Sequence, residues 1–181
     1  MINEKVKLMG RKITFALFFL LTLSAFGQNN PYIEIGFDPK MITNGPYEGA
    51  DSALDMMVKV GVHGKRLDYN IYTEVFNATS YYSYGIGMMI PYRLYPPESQ
   101  NRTTSLDFAF GFDVGLISRP ELNSTTGSFG LNLETRFNIG KSFTLKYLAN
   151  WRYRSDLVNV YNEQNNFKFG GYLSLVYNFH K

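Results

Sequence analysis

From Ser128 to Phe179 apolar and polar residues alternate almost without interruption. Phe129, Leu131, Leu133, Thr135 and Phe137 interleave with Gly130, Asn132, Glu134, Arg136 and Asn138. A strand sends successive side chains to opposite faces, so this two-residue period predicts a sheet with one greasy, aromatic face and one charged face. A sheet of that kind separates oil from water.

The same pattern recurs upstream, and eight strands are expected. They run over Tyr32–Asp38, Ala53–His63, Arg66–Phe76, Tyr81–Tyr92, Leu106–Ile117, Ser128–Asn138, Ser142–Arg154 and Phe167–Phe179. An even number of strands in an up-and-down barrel brings both termini to one rim. Tight turns are expected at His63–Arg66 and Ile139–Lys141, with a longer connection at Arg93–Ser105 on the same rim. Polar loops are expected on the other rim, over Pro39–Ser52, Asn77–Ser80, Arg119–Gly127 and Ser155–Asn166.

The N-terminus predicts export. Lys5, Lys7, Arg11 and Lys12 precede an apolar run, Ile13–Phe26, and a small-residue site at Ala25-x-Gly27. That order is the layout of a secretory signal peptide, and the run is shorter than the ~20 residues a spanning helix needs. Residues 1–27 are therefore read as a cleaved signal peptide and 28–181 as one domain. The precursor has 18 basic and 15 acidic residues. Loss of those four bases and Glu4 leaves the two equal, so the basic excess needed to bind nucleic acid is missing. There is no cysteine, which excludes disulfides and thiolate metal sites.

Two features favour lipid outside over ligand inside. Outward aromatics gather at the strand ends: Tyr69, Tyr92, Phe108, Phe137, Phe143, Tyr177 and Phe179 at one rim, and Tyr82, Tyr84, Phe129, Trp151, Tyr153, Phe167 and Phe169 at the other. Rings in two girdles suit the interfaces between hydrocarbon and water. The polar face carries the acids Glu34, Asp55, Asp68, Glu74, Asp107, Asp113 and Glu134 against the bases Lys59, Arg136, Lys146, Arg152, Arg154 and Lys168. Eight strands enclose a space that side chains fill, so these groups are expected to pair in a plugged core. The glycines Gly61, Gly85, Gly87, Gly111, Gly115 and Gly170 are expected to make room for the long Arg and Lys chains.

On strand number, alternation and girdles, residues 31–179 resemble the small outer-membrane β-barrel superfamily: the transmembrane domain of outer membrane protein A, and the OmpX and OmpW barrels. The last strand, Lys168-x-Gly170-x-x-Leu173-x-Leu175 ending Tyr177-x-Phe179, resembles that family's signal for the barrel-assembly machinery, although His180 and Lys181 follow the aromatic. Gln28 after the cleavage site and the Asn- and Tyr-rich strands resemble Bacteroidetes outer-membrane proteins. The resemblance implies an eight-stranded antiparallel transmembrane barrel in the bacterial outer membrane, with outer-membrane lipid, lipopolysaccharide and the assembly machinery as partners.

Some barrels of this superfamily modify lipid A, through a His-x-Ser pair or through His, Asp and Ser at the outer rim. Neither His63 nor His180 has a serine two residues away, and neither is placed at the outer rim, so no enzyme and no cofactor are expected. The leading expectation is a barrel that works through its outer loops, in adhesion, envelope integrity or docking to an envelope protein. A narrow porin-like channel and a soluble lipocalin-like carrier remain alternatives.

Overall fold

The computed structural model describes residues 30–44, 52–64, 66–77, 81–93, 104–159 and 164–179. Among these residues eight strands close into one barrel: β1 (Asn30–Phe37), β2 (Asp55–His63), β3 (Asp68–Phe76), β4 (Tyr81–Arg93), β5 (Thr104–Arg119), β6 (Ser124–Ile139), β7 (Phe143–Arg154) and β8 (Phe167–Asn178). Each strand pairs antiparallel with the next, and β8 returns to β1 from Tyr32↔Asn178 to Phe37↔Leu173. Closure leaves no sheet edge with unpaired backbone groups over most of the height. The proposed signal peptide and most of the connection 93–105 lie outside the described residues.

One rim carries the start of β1, the end of β8 and the turns 64–67 and 140–142; we call it the terminal rim. The opposite, helical rim carries two short helices, Pro39–Asn44 and Ser155–Asn159, and a 3-10 turn, Pro120–Leu122. Asn123 closes that turn in the left-handed region at φ 46°, where asparagine is tolerated.

The strand ends expected from the sequence agree with the structure to within about two residues, except in one hairpin. The stretch 119–127, expected as a polar loop, is mostly ladder: β5 and β6 stay paired out to Arg119↔Ser124, and only residues 120–123 turn. Backbone pairing needs no apolar side chains, and Ser124, Thr125 and Thr126 pair as readily as the strand body.

Burial is inverted relative to a water-soluble fold. Ile35, Phe110, Leu133 and Leu175 are 55%, 57%, 53% and 54% exposed, whereas Glu34 and Glu134 are 0% and 1% exposed. Every strand contributes to the apolar exterior. Val62 departs from its outward row by being buried. Inside, four of the six expected glycines, Gly61, Gly85, Gly87 and Gly115, lie against tyrosine or asparagine side chains rather than Arg or Lys. A Cβ on Gly61 would lie 2.6 Å from the Tyr32 ring; on Gly85 and Gly115, 2.8 and 2.5 Å from the Tyr72 hydroxyl; on Gly87, 2.7 Å from Asn70. The flat tyrosines and short amides, not the Arg and Lys chains, press on these bare backbones, because a planar ring lying against the wall needs the Cβ absent.

Candidate functional site

The inward rows bring most of the expected charges together in a stack of three groups. The first is nearest the terminal rim. Arg136 on β6 donates from Nη1 to Asp68 Oδ2 at 2.6 Å, and from Nη2 and Nε to Glu134 Oε2 at 2.6 and 2.9 Å. Lys146 on β7 donates to Glu134 Oε1 at 2.9 Å and also to Glu34 on β1. Lys59 on β2 stands 3.6 Å from Glu134 and 4.0 Å from Glu34. Three acids thus face three bases from β1, β2, β3, β6 and β7, all nine-tenths buried. Removing one partner from such a set is costly, since the others stay desolvated.

Above it Met57, Leu148 and Tyr172 form a small apolar layer. The second group surrounds Arg152, which donates to Glu74 and lies 3.3 Å from Asp113. Asp113 also accepts from Tyr72 at 3.1 Å, Asn132 at 2.8 Å and Asn150 at 3.0 Å. Asp55 accepts from Tyr172 at 3.1 Å. Between the two groups a void of about 10 Å³ is lined by Lys59, Tyr72, Asp113 and Arg152, roughly the space of one water.

The third group closes the helical rim. Asp156, fully buried, accepts from Arg119 at 2.9 and 3.1 Å and from Arg154 at 2.7 and 3.1 Å. Both guanidinium groups also cover the Tyr81 ring, at 4.9 and 4.6 Å from its centroid. Burial alone would raise the Asp156 carboxyl, but hydrogen bonds and charge from Arg154 and then Arg119 hold it below its ordinary value. Leu157 is buried beside it, and Ser155 donates to the Gly127 carbonyl. The turn Ser155–Asn159 is therefore tied across the mouth.

Three expected core charges sit nearer the openings. Asp107 is half-buried at the terminal rim, Arg154 is half-buried under the turn, and Lys168 is exposed at the helical rim, where the wall ends and side chains on the inward row meet solvent. Of the expected girdle residues, Tyr69, Tyr92, Phe137, Phe143, Tyr177 and Phe179 are exposed toward the terminal rim and Phe108 half-buried. Toward the helical rim Tyr82, Tyr84, Phe129, Trp151, Phe167 and Phe169 are exposed and Tyr153 half-buried. Phe143 meets Tyr177 edge-on at 5.3 Å, and Trp151 and Tyr153 both meet Phe167. Phe110, Phe112 and Tyr147 are exposed near mid-strand, so the aromatic exterior extends beyond two rings.

The terminal rim opens into a cavity of about 210 Å³ lined by Tyr32, His63, Asp107, Arg136, Thr144 and Asn178 among others. His63 bonds there to Asp68 at 3.0 Å and to Asn178 at 3.2 Å, with its ring stacked on Tyr32 at 4.3 Å. The sequence pattern places His63 inward but does not name these partners, nor does it single out the buried Tyr32, Tyr81 and Tyr172. The one available signal was their position on the inward row.

Neither a family model nor a curated protein sequence matches the chain. Solved structures do. The N-terminal β-barrel domain of Pseudomonas aeruginosa OprF is similar at 9% identity and a TM-score of 0.53, over 84% of this chain and 98% of that one. Neisserial surface protein A is similar at 13% identity and 0.49, over 82% and 94%. Ail, the attachment invasion locus protein of Yersinia pestis, is similar at 16% and 0.40, over 83% and 99%. At these identities the likeness is one of fold, carried by the OprF domain: the chain has the fold of a small eight-stranded outer-membrane β-barrel.

Proposed function

We propose that the protein is an integral outer-membrane barrel with a sealed interior, acting through the connections on its helical rim. The observation that carries this reading is the inversion of burial: an apolar wall faces outward on all eight strands, while Glu34, Lys59, Asp68, Glu134, Arg136 and Lys146 are buried as mutual partners. A wall of this area in water would bind other surfaces indiscriminately; in a bilayer it is solvated. The terminal rim then faces the periplasm, where an exported chain leaves its ends, and the helical rim faces outside. By sequence the outer connections carry Asp38, Glu48, Asp51, Glu121, Asp156 and Glu163 against Lys40 and Arg119; Asp38, Asp156 and Arg119 are buried, while Glu121 and Lys40 are exposed. Those connections are the surface for adhesion, envelope integrity or docking of an envelope protein, next to lipopolysaccharide.

The cysteine-free chain makes topology easy to test. Thr43→Cys at the helical rim should react with a membrane-impermeant maleimide on intact cells, and Lys141→Cys at the terminal rim only after the outer membrane is opened. Protein that fractionates without detergent, or labels in the reverse order, would overturn the reading. A second reading, the narrow channel, draws on the terminal cavity. Steady ion current from the pure protein in planar bilayers would favour it, because the three charge groups must then open together.

A further inference from the structure

We propose that a doubly protonated His63 locks the closing seam of the barrel, making closure of the terminal rim proton-dependent. A chain of side-chain hydrogen bonds runs around that rim. Asn138 Nδ2 donates to Asp107 Oδ2 at 2.7 Å, Thr144 Oγ1 donates to Asn138 Oδ1 at 2.7 Å, and Asn178 Nδ2 donates to Thr144 Oγ1 at 3.2 Å. Asn178 Oδ1 then faces His63 Nε2 at 3.2 Å, and His63 Nδ1 faces Asp68 Oδ2 at 3.0 Å.

The direction of this chain is forced from its ends. An ionised carboxylate only accepts, so Asp107 sets the orientation of the Asn138 amide. The Thr144 hydroxyl has one proton, and it goes to Asn138. Turning the Asn178 amide over would ask that same proton to serve two oxygens. Both nitrogens of His63 therefore face acceptors, an amide oxygen and a carboxylate, and only the imidazolium donates at both.

His63 lies on β2 and Asn178 on β8, so their bond spans β1, the strand that closes the barrel. Tyr32 of β1 stacks under the imidazole at 4.3 Å, and Arg136 of β6 shares Asp68 Oδ2 at 2.6 Å. Asp107 of β5, Lys146 of β7 and Lys141 of the β6–β7 turn line the same cavity. Loss of one proton leaves a lone pair against the Asn178 oxygen, and the cross-seam bond is lost.

The test is urea unfolding of the full barrel in phosphatidylcholine vesicles, read by Trp151, the single tryptophan, at about pH 5 and about pH 8, either side of the histidine range. The folding equilibrium constant should fall about tenfold at the higher pH, the worth of one charge-assisted hydrogen bond. His63→Gln should abolish that fall, whereas His180→Gln should keep it. An unchanged pH dependence in His63→Gln, or none in the unsubstituted barrel, overturns the proposal. Should His63→Gln fail to fold, nitrogen-labelled histidine in the unsubstituted barrel decides. Protons on both His63 ring nitrogens at about pH 5, with Nε2–H protected from exchange, are expected. A neutral ring at that pH refutes the lock.

Discussion

Leu133 and Glu134 are neighbours in sequence and opposites in environment, and the membrane reading can be tested on Leu133 by sign as well as size. Leu133 lies near the middle of β6, between Phe110 on β5 and Ala149 on β7, and is 53% exposed on the apolar wall. In water, Leu133→Arg at so open a position should change stability by no more than about 0.5 kcal/mol. Facing mid-bilayer, the same change must bring a guanidinium into hydrocarbon, at a cost of about 2–4 kcal/mol. Among the described residues the nearby acids Glu134 and Asp113 are buried on the inner face, committed to partners there. Equilibrium unfolding in vesicles, followed by Trp151 fluorescence, measures the difference. Serine at 133 provides a control, since it shortens the side chain without adding charge. A Leu133→Arg cost below about 1 kcal/mol would refute the assignment of this row to lipid, whatever the fold.

Glu134→Gln should cost about 3–5 kcal/mol, since Arg136, Lys146 and Lys59 lose a shared buried partner; the same vesicle assay reads it. Gly111→Ala should destabilise strongly, because its Cβ would lie 2.0 Å from the Met88 carbonyl, which is backbone and cannot rotate aside. Gly127→Ala, with open space around its Cβ, should stabilise by up to about 1 kcal/mol through the unfolded chain. The Ser155–Asn159 turn should depend on acid. Asp156 has a depressed carboxyl in the folded state, so its contribution is complete above the unfolded value of about 3.9 and fades as the pH falls below it. Limited proteolysis at the turn should therefore speed up on acidification, and Asp156→Asn should show fast cleavage at every pH.

The facing of each strand was legible because it is local: one residue decides one face, and eight stretches of alternation are enough to predict a closed wall. The inward charges could be named for the same reason. Their partners could not. Arg136 and Asp68 are 68 positions apart on β6 and β3, and Lys146 meets Glu34 from two strands away. The first contact joins strands three apart around the ring and the second passes over β8, so both depend on stagger and tilt, which no single strand encodes. The β5–β6 extension is not legible in the sequence, because Ser, Thr and Gly carry no apolar alternation although their backbones pair out to Arg119↔Ser124. What lies against Gly61, Gly85, Gly87 and Gly115 is hidden for a related reason: a missing side chain shows where space is, not what fills it.

The sequence by itself determined a two-faced wall of eight strands, with its charges turned one way and its aromatics the other, because side-chain direction follows from backbone period. Only the tertiary structure decided that the charges stack in three groups, that Asp156 ties a turn over one mouth, and that His63 bridges the seam at the other. Those contacts exist because closure brings strands distant in sequence within hydrogen-bond reach, where a buried charge must find a partner.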